Sequence, residues 1–446
     1  MKKYLFIAVL AGCLAIAPSC TNSKGENSSA SSKSGIPVML DRTVITGADA
    51  EREELLTAYD KAILTLETNP TNLQQYINLA QVFITEGRLT GNLGYYNSAA
   101  MQMLDKVLEQ DPTDNDILFQ AYTFKSGVLM SMHQFKDALN AANKAFAISQ
   151  HNAQLFGALV DANVELGNYT EAVKMCDNMM QLRPDIRSYS RVSYLRQIYG
   201  DNAGAIDAMK MAVEAGVPGA ESTEWARIIL GDLLLMTGDI KSAEICYTTA
   251  LGLRKNYPYA EAGLGRLEKA KKNYTAAIQH TENAINMISD VAFVNQLADI
   301  YELKGDSKKA KEIRKDVLSL LEKSEKEQNK EKALVKHNGA RELAIVHLNI
   351  GKIDQALKYA KEDLDMRPEN IDANELIAWI YYLKGDYSNA KVHADKMLAT
   401  HSKNPSTLYK AGLIYCKAGD EVAGQSLRNE ALAINPAIDI ALIQSK

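Results

Sequence analysis

No group of side chains in this sequence has the spacing that metal or nucleophilic chemistry needs. Its seven histidines (133, 151, 280, 337, 347, 393 and 401) form no His-Glu-x-x-His pattern, and no Cys-x-x-Cys occurs. His337 and His347 share a helical azimuth, but ten residues put them about three turns apart, too far for one ion. No glycine-rich phosphate loop follows a strand-like run, and no two carboxylates are marked out as an acid–base pair. Cysteine is scarce: five in all, and past residue 20 only Cys176, Cys246 and Cys416. An odd number at wide spacing argues against a disulfide framework and fits small buried side chains. The net charge is −5, with no basic block to hold a phosphate backbone, which makes nucleic acid a poor partner. Catalysis, a cofactor and a metal site are therefore not expected.

What is present begins with a leader. Lys2 and Lys3 precede an apolar run from Tyr4 to Ala17 that is too short to span a membrane, and small residues stand before each of Cys13 and Cys20. This leader resembles a bacterial lipoprotein signal, in which the cysteine after the cleavage site is acylated and becomes the first mature residue. Leu10-Ala11-Gly12-Cys13 matches the family's box more closely than Ala17-Pro18-Ser19-Cys20. Cleavage before Cys20, however, uses the whole apolar run and leaves the polar stretch TNSKGENSSASSKSG as a flexible lead. The expectation is a signal peptide over 1–19, lipidation at Cys20 with Cys13 as the alternative, a Ser/Gly-rich tether over 20–47, and a folded region over 48–446. The resemblance implies a protein anchored by lipid to a membrane of the cell envelope, facing the periplasm or the exterior.

The folded region repeats itself. LGNYTEAVKMCDNMMQLRP (166–184), IGKIDQALKYAKEDLDMRP (350–368), KGDYSNAKVHADKMLATHSKNP (384–405) and AGDEVAGQSLRNEALAINP (418–436) share one plan. A glycine that allows positive φ ends one helix, a small residue lets the next helix pack close, and a proline follows its end. The small residue recurs at Ala138, Ala172, Ala205, Ala243, Ala277, Ala310, Ala356, Ala390 and Gly424, mostly 33 or 34 residues apart. Residues 49–70 read as a leading helix. The stretch from Asn72 to Pro112 reads as one more repeat, with an expanded turn at LTGNLGYY. Two longer intervals contain GVPGAES and a densely charged segment, 318–338, expected as longer solvated helices or as a protrusion.

The beat, with Leu230-Gly231, Leu264-Gly265 and Leu297-Ala298 before Tyr301, resembles the tetratricopeptide repeat family. The resemblance implies an all-α, right-handed α-solenoid of about ten helix-turn-helix repeats, with a concave groove lined by the first helix of each. It further implies a non-enzymatic scaffold that binds a protein or peptide partner there. The inward places carry Arg187, Arg191, Tyr194, Trp225 and Tyr259, then Arg266, Arg341, Trp379, Tyr382 and Tyr409. These are residue types that dominate binding hot spots. Arg and Tyr interleave most densely in RSYSRVSYLRQIYGD (187–201), a candidate clamp for an anionic segment, or else packing between repeats. Two other readings stay open. One is a surface lipoprotein that captures glycans or small ligands; the other is an accessory subunit of an envelope assembly or metal-transport system.

Overall fold

A computed structural model describes residues 35–444, apart from 43, 45, 46, 48, 289 and 331–335. The expected signal peptide, Cys13, Cys20 and the first part of the tether lie outside the described residues. A leading helix, α1 (Asp49–Thr68), is followed by ten helical hairpins. They are α2 (Leu73–Thr90) with α3 (Leu93–Leu108), α4 (Asn115–Ser131) with α5 (Phe135–Ile148), and α6 (Ala153–Glu165) with α7 (Tyr169–Leu182). Next come α8 (Ile186–Ile198) with α9 (Asn202–Glu214), α10 (Glu221–Met236) with α11 (Ile240–Leu253), and α12 (Pro258–Ala270) with α13 (Tyr274–Met287). The last four are α14 (Val291–Leu303) with α15 (Ser307–Lys330), α16 (Ala340–Asn349) with α17 (Ile353–Met366), α18 (Ile371–Leu383) with α19 (Tyr387–Met397), and α20 (Pro405–Lys417) with α21 (Glu421–Ile434). A short α22 (Ile440–Gln444) closes the chain of helices. The all-helical solenoid of about ten repeats matches the expectation.

The local causes are those the repeat pattern suggests. Each of the eight alanines at the recurring small position is fully buried, because the second helix of each hairpin crosses the first there. At the ninth position even a methyl group is too large: a Cβ on Gly424 would lie 2.4 Å from Cys416 Sγ and 2.6 Å from Gly412 O. Each hairpin turns on a residue in the left-handed region. That residue is Gly167 at φ 80° and Gly385 at 78°, but His133 at 56° and Lys272 at 60° take the same place in α4/α5 and α12/α13. First helices open on side-chain caps, as where Asp114, Asn152, Asp185, Asn370 and Asn404 accept from the backbone N–H groups two and three residues on.

The hairpins coil into a superhelix, and its successive turns touch at residues about 200 apart. Arg367 donates to Glu165, Asn370 to Val164 and Glu165, Ile371 N to the Tyr169 hydroxyl, and Asn435 to Leu235 and Met236. One superhelical turn therefore takes six repeats. This seam explains a difference between glycines of the same type. A Cβ on Gly167 would meet the Glu369 carbonyl carbon at 2.4 Å, whereas one on Gly385, in the last turn, would meet nothing within 4 Å.

Two expectations are corrected. Residues 35–42, assigned to the tether, are packed onto the first repeat: Ile36 is buried, and the hydroxyls of Tyr59 and Tyr95 donate to Pro37 and Val38 carbonyls. Leu40 N–H donates to the Tyr96 hydroxyl, and the buried Glu86 carboxylate binds Arg42 and Arg52 at 2.7 and 2.6 Å. A buried carboxylate needs such partners, so Arg42 is held in place by the first hairpin. The stretch LTGNLGYY is not an expanded turn. Its residues extend α2 and α3, leaving Gly91 at φ 71° and Asn92 between them. In the densely charged segment, α15 runs 24 residues to Lys330, and the chain returns so that Asn338 N donates to Met132 O.

Gly167→Ala should cost at least about 2 kcal/mol and Gly385→Ala about 1 kcal/mol, since both strain φ but only the first meets backbone. Unfolding midpoints in urea, compared side by side, measure the difference. Burial pushes the free thiols of Cys176 and Cys246 up to about 11. At pH 8 a disulfide reagent should modify them far more slowly than the less buried Cys416 until the chain is unfolded.

Candidate partner-binding groove

Neighbouring first helices touch one another directly, whereas neighbouring second helices show no comparable contact among the described residues. The first helices therefore take the shorter, inner path and form the concave wall. On α10 the accessible residues Ser222, Trp225, Ile229, Asp232 and Met236 follow one helical stripe, which is the stripe that faces inward. Counting back from the left-handed residue of each hairpin puts Arg187, Trp225 and Tyr259 in one register position. Asp161, Tyr194, Asp232, Arg266, Asp299 and Trp379 share another, two turns further along the helix.

Most of the sequence-predicted groove arginines are already engaged within the protein. Arg191 holds Asp161 through both carboxylate oxygens, at 2.9 and 2.5 Å, and also reaches Gly157 O. Burial works against its charge, but Asp161 outweighs that and holds the guanidinium above its ordinary pKa. Arg266 donates to Asp232 at 2.7 Å and to Gln296 at 3.3 Å, spanning three repeats, while the Tyr247 hydroxyl donates to the same Asp232 oxygen. Arg341 lies 3.7 Å from Asp372, and Glu375 accepts from Lys410 and Thr407. Burial alone would raise the Glu375 carboxyl, but Lys410 and Thr407 bring it below the ordinary carboxylate range. These pairs form a polar ladder from one first helix to the next. Arg191 of the candidate clamp in 187–201, and the groove candidates Arg266 and Arg341, accordingly serve as structural bridges between first helices. The acidic partners Asp161 and Asp372 were not singled out from the sequence; an opposite charge one repeat from each arginine is the signal that finds them.

The aromatic candidates divide. Trp379 and Tyr409 are buried, which corrects their assignment to the groove surface. Trp379 stacks on Tyr382 at 4.8 Å between ring centroids, and the Arg428 guanidinium covers Tyr409 at 5.5 Å. Tyr382 is half-buried in the same stack. Tyr259 packs edge-on against Tyr257 and Phe293, and burial, with Asp290 and Glu221 beside it, pushes its hydroxyl up to about 12. Open to solvent on the inner wall are Arg187, Tyr194 at 43% and Trp225 at 41%. Tyr194 is accessible yet crowded: surrounding protein first, then Asp372 and Glu165, raise its hydroxyl pKa. It lines a cavity of about 190 Å³ between the two superhelical turns, with Tyr169, Gln197, Asn370, Asp372 and Glu375. Among the described residues no group of three or more His, Cys, Asp or Glu could hold a metal ion. His337 meets His133 of the other turn at 4.7 Å between rings, and His347 stacks on Tyr359 instead. No described helix is long and apolar enough to cross a membrane.

Residues 341–404, spanning α16 to α19, match the family model for the tetratricopeptide repeat. The fold is a tetratricopeptide-repeat solenoid. Tetratricopeptide repeat protein 21 homologs are similar in sequence. That of Caenorhabditis elegans is 20% identical over 408 residues, covering 86% of this chain and 29% of the relative. That of Caenorhabditis briggsae is 21% identical over 332 residues, covering 74% and 23%. The chain thus spans about a quarter of the length of the curated relatives it matches. Among solved structures, a tetratricopeptide repeat protein from Parabacteroides merdae is 14% identical, covering 56% of this chain and 93% of that one at a TM-score of 0.42. A human IFIT1 dimer with m7Gppp-AAAA is 15% identical, covering 86% of each chain at a TM-score of 0.45.

If the ladder joins tetratricopeptide units as described, Asp232→Ala should destabilise by about 1–2 kcal/mol, discounted because both partners are partly exposed. A double-mutant cycle with Arg266→Ala, read from thermal unfolding, should return a coupling of about 1 kcal/mol.

Proposed function

We propose that this solenoid is a non-enzymatic scaffold that holds a peptide segment or a partner protein against its inner wall. The observation that carries the reading is the exposure of Arg187, Tyr194 and Trp225 on consecutive first helices. A tryptophan 41% exposed, one repeat from an exposed arginine in the same register, is the residue chemistry of a binding hot spot. Its neighbours in the ladder are engaged with one another, so the wall that presents it is already ordered, which lowers the cost of binding. The protein is held, on this reading, at a membrane of the cell envelope by lipid on Cys20.

A photo-reactive side chain at Trp225 should crosslink the partner in intact cells. Trp225→Ala and Arg187→Ala should each weaken its capture by about tenfold or more. Trp379→Ala, by contrast, should lower stability. Capture that is indifferent to the first two variants would reject the inner wall as the binding surface. Cys20→Ala should abolish metabolic lipid labelling; labelling that persists would move the anchor to Cys13.

A further inference from the structure

The seam between superhelical turns is built from groups unlike those within the repeats. Asn370 caps its own helix, its Oδ1 accepting from Asp372 N and Ala373 N. Its Nδ2 points the other way and donates to Val164 O and Glu165 O at the end of α6, one superhelical turn earlier. Asn435 repeats the device: Oδ1 accepts from Ala437 N, and Nδ2 donates to Leu235 O and Met236 O at the end of α10. Helix C-terminal carbonyls lack partners within their own helix, and an asparagine amide offers an acceptor and a donor together. Asn404 caps α20 in the same way, and its Nδ2 lies 3.7 Å from Met236 Sδ. Between these rungs Asn202 donates to Lys403 O, and the pairs Arg367–Glu165 and Arg254–Glu51 cross the seam. In the first turn Asp114 and Asp185 hold the corresponding cap positions with carboxylates, which cannot donate.

The apolar clusters do not follow the seam. Each is confined largely to neighbouring repeats; Ile371, packed against the cluster of Val164 and Tyr169, and Ile288, whose side chain lies against Gly91, are members that reach across. Parting the turns would therefore leave each repeat's core intact and hand the seam's polar groups to water, whose hydrogen bonds nearly replace those lost.

We propose that the seam is a releasable closure. The two turns separate along the asparagine rungs and open the side of the superhelix, giving a ligand lateral access to the inner wall. The ligand's part in this rests on the binding function proposed above; the opening itself does not.

The test uses the full chain with Ser402→Cys, a buried residue lining the cavity at the seam and not on the inner wall proposed to bind, and reads its modification by a polyethylene-glycol maleimide above the rate of the chain without it. Asn370→Asp with Asn435→Asp keeps the cap acceptors and removes the donors. This pair should speed modification by about tenfold or more, since it removes the four hydrogen bonds that the two amides donate across the seam. It should also enlarge the radius of gyration in solution scattering at unchanged helical circular dichroism. Asn152→Asp makes the same exchange at the α6 cap, away from the seam, and should change neither. If the double variant matches Asn152→Asp, or gains reactivity only in proportion to lost helix, the asparagines serve their own helices and the closure is rejected. A seam that opens in a chain capturing no partner rejects the binding function and leaves the closure standing.

Discussion

The close approach of two helix backbones within each hairpin is the constraint on which the rest of the molecule depends. An alanine or glycine at the crossing sets how tightly the second helix lies on the first, and at Gly424 no room remains for a single methyl group. Hairpins of one geometry stacked in series must curve, and a curve continued over six repeats returns above its own start. The superhelical seam, the inner wall and the cavity beside Tyr194 are all consequences of that local distance. Stability follows the same hierarchy, since the apolar clusters span neighbouring repeats and add as local contributions along the chain.

The hairpins were legible in the sequence because their causes are local. Gly167, Ala172 and Pro184 lie within one unit, and their recurrence fixes where each turn and crossing falls. The sequence-distant features were not legible for the same reason. The apolar stretch IPVML (36–40) was the one local signal that this segment is not tether, but what holds it, Tyr59, Tyr95 and Tyr96, is brought together only by the folded first repeat. The extended turn expected at LTGNLGYY failed because two glycines and an asparagine read as loop. The chain needs only Gly91 and Asn92 there, and the remaining residues lengthen both helices.

In the groove, residue type pointed to the right wall but not to the right residues. Arginine and tryptophan are favoured in hot spots because they are large and carry several kinds of contact, and the same properties suit them to joining one repeat to the next. Trp379 is covered by Tyr382 and Lys410, whereas Trp225 has no stacking partner among the described residues. Arg191 has an aspartate in reach on the preceding first helix; Arg187, one turn earlier, stays exposed. What separates surface from structure is therefore the neighbour one repeat away, a distance of 30 to 35 residues that no local pattern reports.

The two kinds of long-range contact differ in what they resist. The ladder of Arg191–Asp161, Arg266–Asp232 and Glu375–Lys410 joins adjacent first helices that are already packed, so it stiffens the curvature of the wall against bending. The seam joins repeats six apart that share little apolar surface beyond Ile371 and Ile288, so it is held mostly by hydrogen bonds and by the ion pairs Arg367–Glu165 and Arg254–Glu51. Close-packed cores resist every small displacement, whereas polar contacts between loops and helix ends can exchange for water one rung at a time. The same chain thus combines a stiff inner wall with a soft axial contact. Motion, where it occurs, runs along the superhelix axis and leaves the spacing of Arg187, Tyr194 and Trp225 on the wall unchanged.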